Sequence, residues 1–151
     1  MAEDVREAIL SRLETLLATI SGVDDVSRNK NLDDDTSKNR IVILEGDELT
    51  NEDEDPGSSK PANAPRVVYM QPQILLAVSD KATDVGSELS ALRGQVIQAI
   101  TADATLSELT HKGRVGRYIG LESDLAFGRM MTAQMALKYR FAYVLRPDQF
   151  A

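Results

Sequence analysis

A chain of 151 residues fits one domain, which at this size buries roughly 68–70% of its unfolded surface and needs no covalent staple. It has no cysteine and one histidine, His111, which excludes disulfides, thiolate catalysis, cysteine-ligated metal and any site built on two imidazoles. The net charge of −7 argues against a general nucleic-acid binder, and it is unevenly spread. Asp24–Asp55 carries 12 acidic and 4 basic residues, whereas Lys112–Arg146 carries seven basic residues against Glu122 and Asp124. Surfaces of opposite sign on one molecule can set register between copies; a solvated acidic loop accounts for the same acidic run.

Glu3–Ile20 reads as an amphipathic helix. Val5, Ile9, Leu13, Leu16, Leu17 and Ile20 recur at three- and four-residue steps, with Glu3, Asp4 and Glu7 at the positive end of the dipole and Gly22 as the stop. Ser27–Asn39 is polar and turn-rich. Arg40–Glu45 (RIVILE) predicts a short strand. Residues 46–65 are acidic, contain Pro and Gly, and hold almost no large apolar side chain. Such a segment buries too little to offset its ordering entropy, so a long acidic flexible loop is expected.

Arg66–Ser79 is strand material, in which Pro72 marks an edge, a bulge or a break. A second helix opens at Gly86-Ser87, with Ser87 as N-cap and Leu89, Leu92, Val96, Ala99 and Ile100 as its buried stripe. Thr105-Leu-Ser-Glu108 has the form of a capping box and predicts a further short helical turn. Gly113–Leu121 (GRVGRYIGL) predicts a strand. Met131–Leu145 predicts a long one, with Met131, Ala133, Met135, Leu137, Tyr139, Phe141, Tyr143 and Leu145 on one face and Thr132, Gln134, Lys138 and Arg140 on the other. The expected fold is a single α+β domain over 1–151: a mainly antiparallel four-stranded sheet, two helices packed on one face, in the order α-β-β-α-β-β. The basic face of the last strand then meets solvent or a partner.

The chemistry-bearing candidates are weak. GRVGRYIG lacks the Gly-Lys-Ser/Thr ending of a P-loop and does not lead from a strand into a helix; glycines in a strand more often mark a bulge or a close backbone approach. His111 has no nucleophile elbow to accompany it, which leaves a small hydrolase as a minor alternative. Asp33–Asp35 and Glu52–Asp55 lack the spacing of a calcium loop. No cofactor, metal ligand or catalytic residue is expected. No apolar run reaches the ~18 residues of a membrane span. The acidic start with spaced apolar residues is not a secretory signal, so a cytosolic product is expected.

Four stretches in order carry a resemblance: PQILLAVSD, a Pro-led strand; GSELSALRGQVIQAI, a Gly-started helix carrying an Arg; RVGRYIGLESDL; and MALKYRFAYVLRP, with alternating basic and aromatic residues. Together with the leading helix, residues 66–147 resemble the tail terminator and head–tail joining (minor tail) proteins of long-tailed bacteriophages and gene transfer agents. The resemblance implies a non-enzymatic virion subunit of a ring, usually a hexamer. It would cap the tail tube protein and present a docking surface to the head–tail connector protein, with DNA passing through the channel without specific binding. It implies assembly in the host cytoplasm and no membrane. A head-to-tail ring would set basic Arg114, Arg117, Lys138 and Arg140 against acidic Asp47, Glu48, Asp53 and Glu54 of the next copy. Other connector (stopper) or baseplate parts, and an acidic regulator of a basic partner, are the alternatives.

Overall fold

The computed structural model describes residues 4–29, 39–50, 64–80, 84–113, 116–126 and 131–147. They form an α+β arrangement in the order α1 (Val5–Leu17), β1 (Asp25–Arg28), β2 (Arg40–Thr50), β3 (Arg66–Asp80), α2 (Val85–Ala102), α3 (Ala104–Leu109), a 3-10 turn at His111–Gly113, β4 (Arg117–Ala126) and β5 (Met131–Leu145). The strand order is β1-β2-β3-β5-β4. All neighbours are antiparallel except β1, which lies parallel to β2. Among the described residues the sheet is therefore five-stranded and mixed, not four-stranded; beside the two expected helices, the further short helical turn expected at Thr105–Glu108 is present as α3. The added strand is Asp-Val-Ser-Arg. It is too short and polar to announce itself by alternation, and it is held by pairing Asp25–Arg28 with Arg40–Ile43.

Helices α1 and α2 contact one face of the sheet. Asp4 caps α1 by accepting from the Arg6 amide at 3.0 Å. That satisfies a donor which the first turn leaves without an intrahelical partner. The α1 stripe buries Ile9, Leu10, Leu13 and Leu17; α2 buries Val85, Leu89, Leu92, Val96 and Ile100. They meet Ile41 and Ile43 of β2, Val68, Met70, Ile74, Leu76 and Val78 of β3, and Ala133, Leu137, Tyr139, Phe141 and Tyr143 of β5. The alternation read along the last strand thus sets the core. Each Val, Leu, Ile, Met or Phe among them, once fully buried, stabilises the fold by roughly 1.5–3 kcal/mol.

Two cap assignments change. The α2 N-cap is Asp84, and Ser87 lies inside the first turn, where its hydroxyl donates to the Asp84 carbonyl at 3.0 Å. Helix α3 is capped by Asp103, not by a box starting at Thr105: the Asp103 carboxylate accepts from the Leu106 amide at 2.9 Å. Strand β2 also runs further than expected. Gly46–Thr50, assigned by composition to the acidic loop, is strand, and Asp47–Thr50 continue the ladder with Val68–Gln71 of β3. The rest of that expected loop, 51–63, lies outside the described residues. Strand β4 begins at Arg117 and runs to Ala126, later than the glycine-rich pattern suggests.

Of the edge, bulge or break that Pro72 could mark, a bulge is present, in the neighbouring strand. Pro72 sits buried within the central strand β3, and the β2–β3 register shifts by one between Leu44 and Asp47. Pro72 has no N–H to give the ladder, so an extra β2 residue opposite it costs no hydrogen bond that Pro72 could have made. A second shift lies in β4 between Tyr118 and Gly120.

Candidate functional site

Side chains alternate across a strand, so the register fixes which residues share the face turned away from the helices. On β5 these are Gln134, Ala136, Lys138 and Arg140. On β3 they are Tyr69, Gln71, Gln73, Leu75 and Ala77. On β2 they are Arg40, Val42 and Leu44 before the bulge, and Asp47 and Leu49 after it. Arg117 of β4 joins them, because it lies directly opposite Arg140.

Of the sequence-derived charges, this face brings together Asp47, Arg117, Lys138 and Arg140. Lys138 is already engaged: its Nζ donates to Glu122 at 2.7 Å, and that contact holds the Glu122 carboxyl below its ordinary range. The Arg140 guanidinium lies 5.8 Å from the Tyr69 ring centroid, an attraction between a cation and a ring face. Glu48 points the other way, toward the helices, where its carboxylate accepts from the Tyr143 hydroxyl. Burial, reinforced by that bond, pushes the Tyr143 phenol up. Among the described residues, Arg117 and Asp47 are exposed and are not joined to an opposite charge of their own subunit. Arg114, Asp53 and Glu54 lie outside the described residues.

The helix side of β2 carries a polar network. Arg6 of α1 reaches Glu45 at 3.2 Å, and Arg28 of β1 donates to both oxygens of Glu7 at 2.7 and 3.0 Å and lies 3.3 Å from Glu45. Asn29 also donates to Glu45, and that bond, ahead of the two arginines, holds the Glu45 carboxyl down. At the other end of the sheet Arg93 of α2 donates to the Tyr118 hydroxyl at 3.3 Å and lies over its ring. Tyr118 in turn meets Tyr139 edge to face at 5.7 Å. The Tyr139 phenol is pushed up to about 12 by burial. These groups tie helices to strands and are not arranged around a reacting atom. Among the described residues the His111 side chain makes no hydrogen bond, and no group of three His, Cys, Asp or Glu side chains is placed to hold a metal ion. Among them, too, no helix is long and apolar enough to cross a membrane.

What sequence reasoning missed are the exposed apolar residues. Among the described residues the large ones are Leu49 at 55%, Ile119 at 41% and Leu121 at 38%. All three sit on strands with an outward edge: Leu49 on β2 beyond the reach of β1, Ile119 and Leu121 on the outermost strand β4. Alternation alone does not show which strand lies at an edge, so no sequence signal singles them out.

Arg40 stands apart. It is 6% exposed, its Nε and Nη2 have no partner, and the buried Ser27 hydroxyl on the adjoining strand is also unpartnered. A buried charge short of partners is often replaced by an apolar side chain without loss. Arg40→Met is expected to keep or raise the thermal midpoint, by up to ~1–2 kcal/mol in stability. A melting curve checks this, and a clear drop would show that the guanidinium does more than fill space.

Compared with known proteins, the chain matches no family model and no curated protein sequence.

Proposed function

We propose that this chain is a structural subunit that assembles with copies of itself, and that its place is the terminator ring of a long-tailed phage or gene transfer agent particle. The observation that carries the self-assembling part is the coincidence of exposed apolar residues with unpaired charges of opposite sign on the two open sides of one sheet. Exposed apolar surface next to an unpaired strand edge is a template for another chain. The terminator assignment rests on the resemblance of residues 66–147. In that reading the ring, a hexamer, stacks on the tail tube protein and offers its far side to the connector. The acidic balance of −7 then favours passage of DNA over retention, because few cations are left to grip phosphates.

Particles produced without this protein test the reading. Overlong tails or free polytubes, seen by electron microscopy, are expected. Full-length tails beside empty heads would transfer the protein to the connector, and normal particles would remove it from the neck altogether.

A further inference from the structure

We propose that Arg40 and Ser27 form a binding site for a small oxyanion, a carboxylate or a phosphate, on the sheet face turned away from the helices. The site is independent of the terminator reading.

Two strands build it. Strand β1 runs parallel to β2, with Asp25 opposite Arg40 and Ser27 opposite Val42. Side chains two apart on a strand share a face, so Arg40 and Ser27 stand on one face as diagonal neighbours, about 8 Å apart at Cα. Both are more than nine-tenths buried, at 6% and 8% exposed. The Ser27 hydroxyl and the Nε and Nη2 of Arg40 are all enclosed and unbonded.

Nε and Nη2 form one edge of the guanidinium, a fork that donates two parallel hydrogen bonds to a pair of oxygens. Arg12 shows in the same chain what that edge takes: its Nε and Nη2 donate to the two oxygens of Asp103 at 3.0 and 2.6 Å. Arg40 presents the same fork, and among the described residues no carboxylate meets it.

The charge matters more than the hydrogen-bond count, because a buried cation without a counter-charge costs far more than a buried neutral group without a partner. The neighbours do not supply one. Ala77 lies opposite Arg40 on β3 and joins Val42, Leu44 and Leu75 in a small apolar cluster. Asp25, opposite on β1, is exposed and is not joined to Arg40. One oxyanion would accept from Nε, Nη2 and the Ser27 hydroxyl together and cancel the charge, in surroundings of low polarity where such contacts are strong. The enclosure sets the size: a phosphate ion or a group like acetate, not a polymer.

Thermal melts test the site. In a chloride buffer free of oxyanions, Arg40→Met is expected to melt at or above the wild type. With about 50 mM phosphate the wild-type midpoint is expected to rise roughly 5 °C more than that of Arg40→Met, the shift that filling a ~1 mM site gives in a chain of this size. The comparison removes the general stabilisation that phosphate gives any folded protein. Arg40→Lys keeps the charge without the fork and is expected to lose most of the shift, and Ser27→Ala to raise the half-saturating phosphate about tenfold. Arg117→Met, an exposed arginine of the same face, is expected to keep the full shift. Acetate titrated in place of phosphate separates the two ligands, the larger shift naming the class. A gap between wild type and Arg40→Met that responds to neither anion overturns the proposal. So does a gap that follows protein concentration alone, which would give the guanidinium to an interface between copies. Asp25→Asn tests the nearest rival. Beside a bound oxyanion Asp25 is a like charge, so Asp25→Asn is expected to lower the half-saturating phosphate. A fall of its midpoint in chloride, with no anion shift in the wild type, would make Asp25 the counter-charge and overturn the site.

Discussion

Gly46→Ala is expected to lower the unfolding free energy by roughly 2–5 kcal/mol, about 1–2 from the left-handed backbone and about 1–3 from overpacking. In a chain of this size that shifts the thermal midpoint by the order of 10 °C. Gly46 has φ +69°, and a Cβ built there would sit 2.0 Å from the Gln71 carbonyl oxygen and 2.8 Å from its carbon. The obstacle is the backbone of a paired strand, so no rotamer change relieves it, and β2 must move off β3. Gly22 is the control. Its φ is +87° with nothing within 4 Å, so Gly22→Ala bears only the conformational part, ~1–2 kcal/mol. Urea titrations of the two variants separate contact from conformation. Equal losses would mean that the Gly46–Gln71 approach is not close in solution.

More than stability hangs on that glycine. Ile41 and Ile43 face the helices and Glu45 joins the helix-side network. Strict alternation would send residue 47 to the same side. The extra residue of the bulge resets the count, so that Glu48 turns inward to Tyr143 and Asp47 turns outward to the row that ends at Arg117.

This bulge also shows where the sequence stops being informative. Strand β5 was legible from end to end, because an alternation of fifteen residues has one reading, and the stripes of α1 and α2 were legible for the same reason at a different period. The faces of Lys138 and Arg140 followed from that alternation. What they touch did not: Glu122 reaches Lys138 from β4, and Tyr69 reaches Arg140 from β3, and neither pairing exists until the strand order is known. Acidic Gly46–Thr50 has poor strand propensity and is strand by virtue of β3 beside it. Strand β1 is likewise made by its neighbour. Pro72 announced an irregularity, but its effect falls on β2, a strand away in space. Of the five proposed interface charges that lie among the described residues, Asp47, Glu48, Arg117, Lys138 and Arg140, geometry leaves Asp47 and Arg117 exposed and not joined to an opposite charge, a selection that only register can make.

Asp103→Ala is expected to cost about 2–3 kcal/mol, because one carboxylate serves two elements. It caps α3 through the Leu106 amide and receives Nε and Nη2 of Arg12 from α1 at 3.0 and 2.6 Å, while the Asp103 backbone N–H, which the substitution keeps, closes α2 on the Ile100 carbonyl. Loss of a cap is worth ~1 kcal/mol and loss of charge-assisted hydrogen bonds ~1.5–3. The lower part of the sum applies, because Arg12 is about a third exposed and its charge partly screened. Asp103→Asn keeps an acceptor for the cap and is expected to lose about half as much. The pH dependence distinguishes charge from shape. The Arg12 hydrogen bonds, opposed by burial and helped by the Leu106 amide, hold the Asp103 carboxyl below its ordinary value. A carboxyl whose folded pKa is depressed adds stability that is fully present above the unfolded value, about 3.9, and is lost as pH falls through the folded one. The stability gap between the wild type and Asp103→Asn should therefore be widest near neutrality and narrow as the pH drops below about 4. Glu7 and Glu45, held down by Arg28 and Asn29, keep some acid sensitivity in both proteins, so it is the difference between the two curves that reports on Asp103. A gap that stayed constant down to the lowest pH at which both remain folded would mean that Asp103 acts by shape and hydrogen-bond count, with its charge idle.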